Sequence, residues 1–274
     1  FFYHQLANQL DAHAIYYSVA VSISIIIILQ YKGMIDDKNL VLFYPFLFIL
    51  FLLLLLLSSK MILVATLVLL GFIFLNTKNY LGSISGVKIG VGVILIAVFL
   101  FFIGTGIKKR FSEINYSQEI LKQEQYKYDT PLNGLTLRLT IWKIILDIIE
   151  EENLALLMGV GTGDAEIHLQ QKYQQKGLYT GNPEFKDRGY LDYNAHSQYF
   201  EELLSNGLIG LVILLSLLFS PVYFSRNNVY SVAIILVFAF FFITESGLNR
   251  QAGNILFTLL VSLLIIQQRS KAVQ

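Results

Sequence analysis

Seven apolar runs, with one long polar stretch between the fourth and the fifth, limit what this chain can fold into. The runs are Ala14–Gln30, Leu40–Leu57, Met61–Leu75, Ile89–Gly106, Phe200–Phe219, Tyr230–Thr244 and Asn254–Gln267. Leu40–Leu57 has no charged residue and is long enough to cross a hydrocarbon core of about 30 Å. Inside hydrocarbon every backbone polar group must be satisfied within the segment, so such runs are read as helices. The third, sixth and seventh are short and need flanking residues to span. Hydrophobic residues make up 55% of the 274, charged residues 14%, and the mean hydropathy is +0.61, outside the usual range of a soluble domain. The expected fold is all-α: a polytopic transmembrane bundle of seven spans with a large helical loop.

Three regions follow: spans 1–106, the polar loop 107–197, and spans 198–274. The chain starts at Phe1 without a Met, and residues 1–13 have neither a basic segment nor a cleavage site. It therefore reads as the C-terminal part of a longer membrane protein. The net charge is +1, which gives no general basic field for nucleic acid. There is no cysteine, so disulfides and thiolate metal sites are excluded.

Orientation comes from Lys and Arg in the short connections. Lys32, Lys38, Lys78, Lys88, Arg226, Arg269 and Lys271 fall on one side; Lys60 and Arg250 fall on the other. The first side is then cytoplasmic. The loop, the Ser58–Lys60 turn and the Glu245–Arg250 turn share the outer, periplasmic face of an inner membrane.

The loop holds most of the charge and the sole Trp. Leu137, Ile141, Ile144, Ile145 and Ile148 repeat at helical spacing, which predicts an amphipathic helix over 136–149. Arg138 and Trp142 lie four apart and share a face of it. Residues 158–164 form a glycine-rich turn. It lacks the Lys-Ser/Thr of a P-loop and the spacing of a dinucleotide fingerprint, so it reads as a helix start, although its N–H groups could face an anion. Asp164–Gln175 is expected to be a second helix, capped by Asp164.

Several polar groups admit two readings. His196, at the junction of loop and membrane, is either an interfacial His bonded to a carbonyl or a group that moves a proton near neutral pH. No metal-ligand spacing accompanies it, so no metal site is expected. His168 reads as solvated. Lys60 either snorkels to the interface or faces a lipid phosphate. Arg250 and Glu245 either pair with each other or serve a site. Arg138 is either solvated or a bidentate phosphate clamp. Tyr173, Tyr179, Tyr190, Tyr193 and Tyr199 either anchor at the interface or stack on sugar rings.

Taken in order, these residues resemble the O-antigen ligase and O-antigen polymerase superfamily. His196-Ser197, nine residues, then Gly207-Leu208-Ile209-Gly210 resembles the family's His-[Asn/Ser/Gln]-x9-Gly-x-x-Gly signature. Arg138 with Trp142, followed by Gly159-Val160-Gly161, resembles its Arg-x-x-x-Trp segment and glycine turn. Ser59-Lys60 resembles its Ser-Arg pair, with Lys in place of Arg. Thr244-Glu245-Ser246 and Asn249-Arg250-Gln251 resemble a late periplasmic turn, and His13-Ala14-Ile15-Tyr16 resembles a His-Pro-x-Tyr helix start with Ala14 in place of Pro. The family carries more spans than the seven read here, so the resemblance implies helices upstream.

What the resemblance implies is transfer of a glycan from undecaprenyl diphosphate to a hydroxyl outside the inner membrane, with inversion and without metal or other cofactor. His196 and Arg138 would be catalytic, His196 either as the base that takes the acceptor hydroxyl proton or as a donor that orients the diphosphate. Arg138, Lys60 and Arg250 would hold the diphosphate, with Ser197, Glu245, Trp142, Gly207 and Gly210 in support. The partners implied are a lipid-diphosphate-linked glycan donor, a lipid A-core or glycan acceptor, and membrane lipids. Polymerase activity is the nearest alternative. A transporter or a structural membrane subunit are alternatives from other classes; the near absence of charge at mid-depth of the spans speaks against a transporter.

Overall fold

A computed structural model describes residues 13–35, 40–57, 59–76, 116–128, 130–132, 134–185, 187–225 and 228–273. The expected span Ile89–Gly106 lies outside them. Among the described residues the regular structure is helical, with no strand. The helices are α1 (Ala14–Gln30), α2 (Leu40–Leu56), α3 (Lys60–Asn76), α4 (Gly134–Glu151), α5 (Ala155–Met158), α6 (Ala165–Gln175), α7 (Gln198–Ser225), α8 (Val229–Thr244) and α9 (Gln251–Val273). A short helical stretch at 116–121 precedes α4.

The all-α class is therefore observed. Of the apolar helices, α7 alone among the described residues is long and apolar enough to cross a membrane, over Gln198–Phe224. Ala14–Gln30, Val41–Leu56, Lys60–Phe74, Val229–Thr244 and Gln251–Gln267 are apolar but shorter. The count of seven spans thus rests on the sequence. The last apolar run borrows residues at both ends to become α9, and the fifth lengthens to α7.

The chain divides into two compact units. The first comprises 1–99, 217–242 and 247–274. Here α1 packs on α2, α3 and α9. Its apolar face is studded with small polar residues that close hydrogen bonds inside the bundle. The hydroxyls of Ser22 and Thr66 meet at 2.8 Å, and Ser18 Oγ donates to the Ala14 carbonyl at 3.0 Å. Such pairs satisfy these buried hydroxyls where water is excluded. α8 contributes Phe238, Phe241 and Phe242, all fully buried, and Phe238 meets Phe257 of α9 edge-on. The turn into α9 is tight: a Cβ on Gly253 would lie 2.2 Å from the Gly247 carbonyl oxygen and 2.8 Å from the Tyr16 ring.

The second unit comprises 100–216 and 243–246. The predicted stripe forms its core. Ile141, Ile144, Ile145 and Ile148 of α4 are buried against Leu169 and Tyr173 of α6 and Leu204 of α7. α4 runs two residues further at each end than the 136–149 stripe suggests. Asp164 does sit at the N-cap of α6, but its carboxylate makes no capping bond, which corrects that expectation. Several charges on these helices are paired within the unit. Lys176 Nζ lies 2.7 Å from Asp147 and 3.6 Å from Glu124, and Lys172 pairs with Glu151. The Asp147 carboxylate holds the Lys176 ammonium above its ordinary pKa. Lys143 Nζ donates to the carbonyls of Leu121 and Gln123, closing the end of the preceding helical stretch.

Candidate functional site

The second unit gathers polar groups around the start of α7, where the loop becomes an apolar helix. Four segments meet here: the α4 face, the glycine turn, the His-Ser motif and the 244–246 turn.

α4 presents Arg138 and Trp142 one turn apart. Arg138 Nε and Nη1 donate to the carbonyls of Thr244 and Gly134, each at 3.4 Å. Its Nη2 lies 3.5 Å from Glu245 Oε1, with the Arg138 side chain 29% exposed. All three contacts are long, so the guanidinium is positioned yet still open to a stronger acceptor. Glu245, one alternative partner for Arg250, thus pairs with Arg138. Trp142 Nε1 donates to the Ala195 carbonyl at 2.9 Å while its ring stacks on Phe200 at 4.8 Å and 7°. Trp142 thereby holds the residue before His196 from one side and the first turn of α7 from the other.

His196 has φ +48, a left-handed backbone uncommon for a residue with a Cβ. Its N–H donates to Asn194 Oδ1 at 3.1 Å, and the Tyr193 ring tilts against the imidazole at 5.3 Å. Ser197 and Gln198 are buried, and the Gln198 N–H donates to the Glu245 carbonyl at 3.1 Å. Non-glycine residues in strained conformations concentrate at functional sites.

Glu201 was not among the residues the sequence singled out, yet it ties two of these turns together. Its Oε2 accepts from the Ala195 N–H at 3.2 Å and from Ser246 Oγ at 3.1 Å. The next residue, Glu202, accepts from Gln198 Nε2 at 3.1 Å and from Asn206 Nδ2 at 2.8 Å. The available signal was two adjacent glutamates near the start of an otherwise uncharged apolar helix, an expensive arrangement unless partnered.

The glycines of the signature explain each other. Gly207 has φ +63 and ψ −158, a break within α7. A straight helix would offer the Leu204 and Ser205 carbonyls to Leu208 and Ile209. At the break they accept instead from the N–H groups of Val160 and Gly161, at 2.8 and 3.0 Å. The approach is so close that a Cβ on Gly207 would lie 2.4 Å from the Leu157 carbonyl carbon and oxygen. A Cβ on Gly159 would lie 2.3 Å from the Ser205 carbonyl carbon. A Cβ on Gly210 would lie 2.2 Å from Asn206 Cβ. The glycine turn is therefore a socket for the kinked helix, and the N–H groups of Val160 and Gly161 are engaged there rather than facing an anion.

The remaining sequence candidates fall as follows. Lys60 opens α3 and is exposed beside the buried Ser59; Arg250, exposed, follows the short turn Gly247–Asn249. Both belong to the first unit, whereas Arg138 and His196 share the second. His168 is partly exposed, with Nδ1 4.0 Å from Glu152. Tyr173 is wholly buried, which removes it from both tyrosine roles; burial pushes its phenol well above its ordinary pKa. Tyr190 and Tyr193 contact each other at 5.6 Å on the His196 side. Among the described residues no group of three His, Cys, Asp or Glu side chains gathers as a metal cluster.

An all-helical chain with a long apolar helix, and a strained histidine and a tethered arginine near its start, has the makings of a membrane enzyme that works at the lipid surface. The O-antigen ligase family matches residues 45–215, more than half of the chain, and the chain belongs to that family. Among curated proteins no sequence matches it. Membership gives the chain a glycosyltransferase-like activity of O-antigen ligase or polymerase type, in polysaccharide biosynthesis at a membrane, on glycan and lipid-linked substrates.

Proposed function

We propose that the protein transfers a glycan from undecaprenyl diphosphate to a hydroxyl of an acceptor such as lipid A-core, at the periplasmic face of the inner membrane. The observation that carries this reading is the arrangement of Arg138, Trp142 and His196. A guanidinium is held loosely by two carbonyls and a carboxylate, and one turn along the same helix an indole fixes the turn that bears the imidazole.

In the proposed reaction the acceptor oxygen attacks the anomeric carbon, opposite the diphosphate. The glycosidic C–O bond breaks and its electron pair stays on the diphosphate oxygen. His196 takes the hydroxyl proton on a ring nitrogen, as an imidazole can in general base catalysis. Arg138 exchanges its long contacts for the diphosphate oxygens, where charge builds as the bond breaks. Attack from the far side inverts the anomeric centre, and no step calls for a metal or other cofactor. Lys60 and Arg250, which the resemblance also assigns to the diphosphate, belong to the first unit, and the proposed reaction is built on Arg138 and His196 alone. Ser197, Glu245, Gly207 and Gly210 support the site, and Tyr190 with Tyr193 offers a stacking surface for a sugar ring.

Polymerase activity differs only in the acceptor, a second repeat unit in place of lipid A-core. Replacement of His196 by Ala, with glycan transfer to each acceptor assayed in membranes, tests the reading. Loss of transfer at normal expression is expected; unchanged transfer ends the catalytic role of His196.

A further inference from the structure

Leu154, Leu156, Leu157 and Met158, within five consecutive residues on and before α5, are 68%, 52%, 50% and 65% exposed. Single exposed apolar residues are ordinary, but four together on a polar loop form a patch that calls for an apolar partner. Leu154 moreover holds a left-handed φ of 68, a costly backbone for leucine that turns the chain at the patch.

The joint at Gly207 fixes where this patch sits. The backbone of Leu157 and Met158 touches Gly207, and the two hydrogen bonds from Val160 and Gly161 lock it there. Along α7 the polar ladder of Gln198, Glu202 and Asn206 ends immediately before Gly207. From Gly207 to Phe224 the helix carries no charged residue. That stretch is about 26 Å long at 1.5 Å per residue, close to the thickness of a hydrocarbon core. Its exposed surface begins at the joint with Leu208, Ile209, Val212 and Ile213. The α5 patch therefore continues the apolar surface of α7 at the level where that surface starts.

We propose that α5 is a wedge that seats Leu156, Leu157 and Met158 among the acyl chains at the edge of the bilayer, at the depth of Gly207. The inference rests on α7 crossing the membrane. Its occupant is bilayer lipid, because the patch is continuous with a face that lipid would cover. The rim is acidic: Glu150, Glu151 and Glu152 precede the patch, with Glu151 paired to Lys172 and Glu152 4.0 Å from His168.

The chain has no cysteine, so an introduced one is unique. The full chain carries Leu157→Cys, Met158→Cys, Ile213→Cys or Phe185→Cys, each labelled with a small fluorophore. It is reconstituted in phosphatidylcholine vesicles with or without lipids brominated high on the acyl chain. The wedge requires most of the fluorescence to be lost at 157 and 158, as at 213, and little change at 185. Quenching at 213 with 157 and 158 behaving like 185 overturns the wedge. Disulfide formation between two copies of the unlabelled Leu157→Cys variant under an added oxidant, without lipid quenching of the labelled one, overturns it in favour of a second chain as occupant. Absence of quenching at 213 removes the span and the wedge together. None of the labelled positions is a member of the candidate site. Failure of the wedge at 157 and 158 therefore leaves the Arg138–His196 reading to be decided by the transfer assay.

Discussion

Alanine at Gly207 and at Gly159 tests the socket from both sides. At Gly207 the added Cβ would lie 2.4 Å from the Leu157 backbone, whereas ordinary contact begins near 3.4 Å. The glycine turn and the helix must therefore separate by about 1 Å. That takes the bonds from Val160 and Gly161 from 2.8 and 3.0 Å to near 4 Å, beyond hydrogen-bond range. Each lost bond costs about 0.5–1.5 kcal/mol, and alanine at φ +63, ψ −158, a region essentially reserved for glycine, adds about 1–3 kcal/mol, for a total of about 2–6 kcal/mol. Gly159→Ala, with φ +71 and a Cβ 2.3 Å from the Ser205 backbone, opens the same joint at similar cost. The double variant should then lose only the extra backbone strain, about 1–3 kcal/mol beyond either single change. Trp142 is the sole tryptophan and lies in this unit, so denaturant unfolding followed by its fluorescence reads the joint directly. Two single losses that add within about 0.5 kcal/mol would refute the claim that the glycines serve one contact.

Other expectations follow from the site. Arg138→Lys keeps the charge but loses the planar fork. Transfer should fall by about 10²–10³-fold, while the Trp142-monitored unfolding changes by less than about 1 kcal/mol because the Glu245 pair is partly exposed. Glu201→Ala strands the Ala195 N–H and the Ser246 hydroxyl and should cost about 1–3 kcal/mol, whereas Glu201→Gln keeps an acceptor oxygen and should retain most of that stability. Burial of Tyr173 predicts alkaline sensitivity. Below its ordinary pKa of 10.0 the phenol is neutral folded or unfolded. Above it the unfolded phenol ionises and the buried one resists, so stability declines as pH rises toward the folded value. Tyr173→Phe should lessen that decline in unfolding midpoints measured across the alkaline range.

What could be read from the sequence was what short-range pattern encodes. The stripe from Leu137 to Ile148 is written at helical spacing, and α4 buries those isoleucines as expected. The apolar runs foretold helices because composition alone fixes that outcome in hydrocarbon. The pairing of Arg138 with Glu245, residues far apart in the chain, left no mark on spacing. The meeting of Gly159 and Gly207 was equally hidden, since it is a contact between backbones and a glycine shows only that something comes close. The role of Glu201 was veiled by its neighbourhood: a carboxylate in an apolar helix signals a partner without naming it.

His196 occupies a corner of conformational space closed to most bulky residues. Among side chains that exchange a proton in the physiological range, imidazole is the one whose residue type is enriched in left-handed geometry. Threonine, valine or isoleucine at 196 would have to drag the main chain out of shape before any question of reactivity arose. Asparagine or glycine there would suit the main chain yet could not take the proton, so backbone and proposed role together single out histidine.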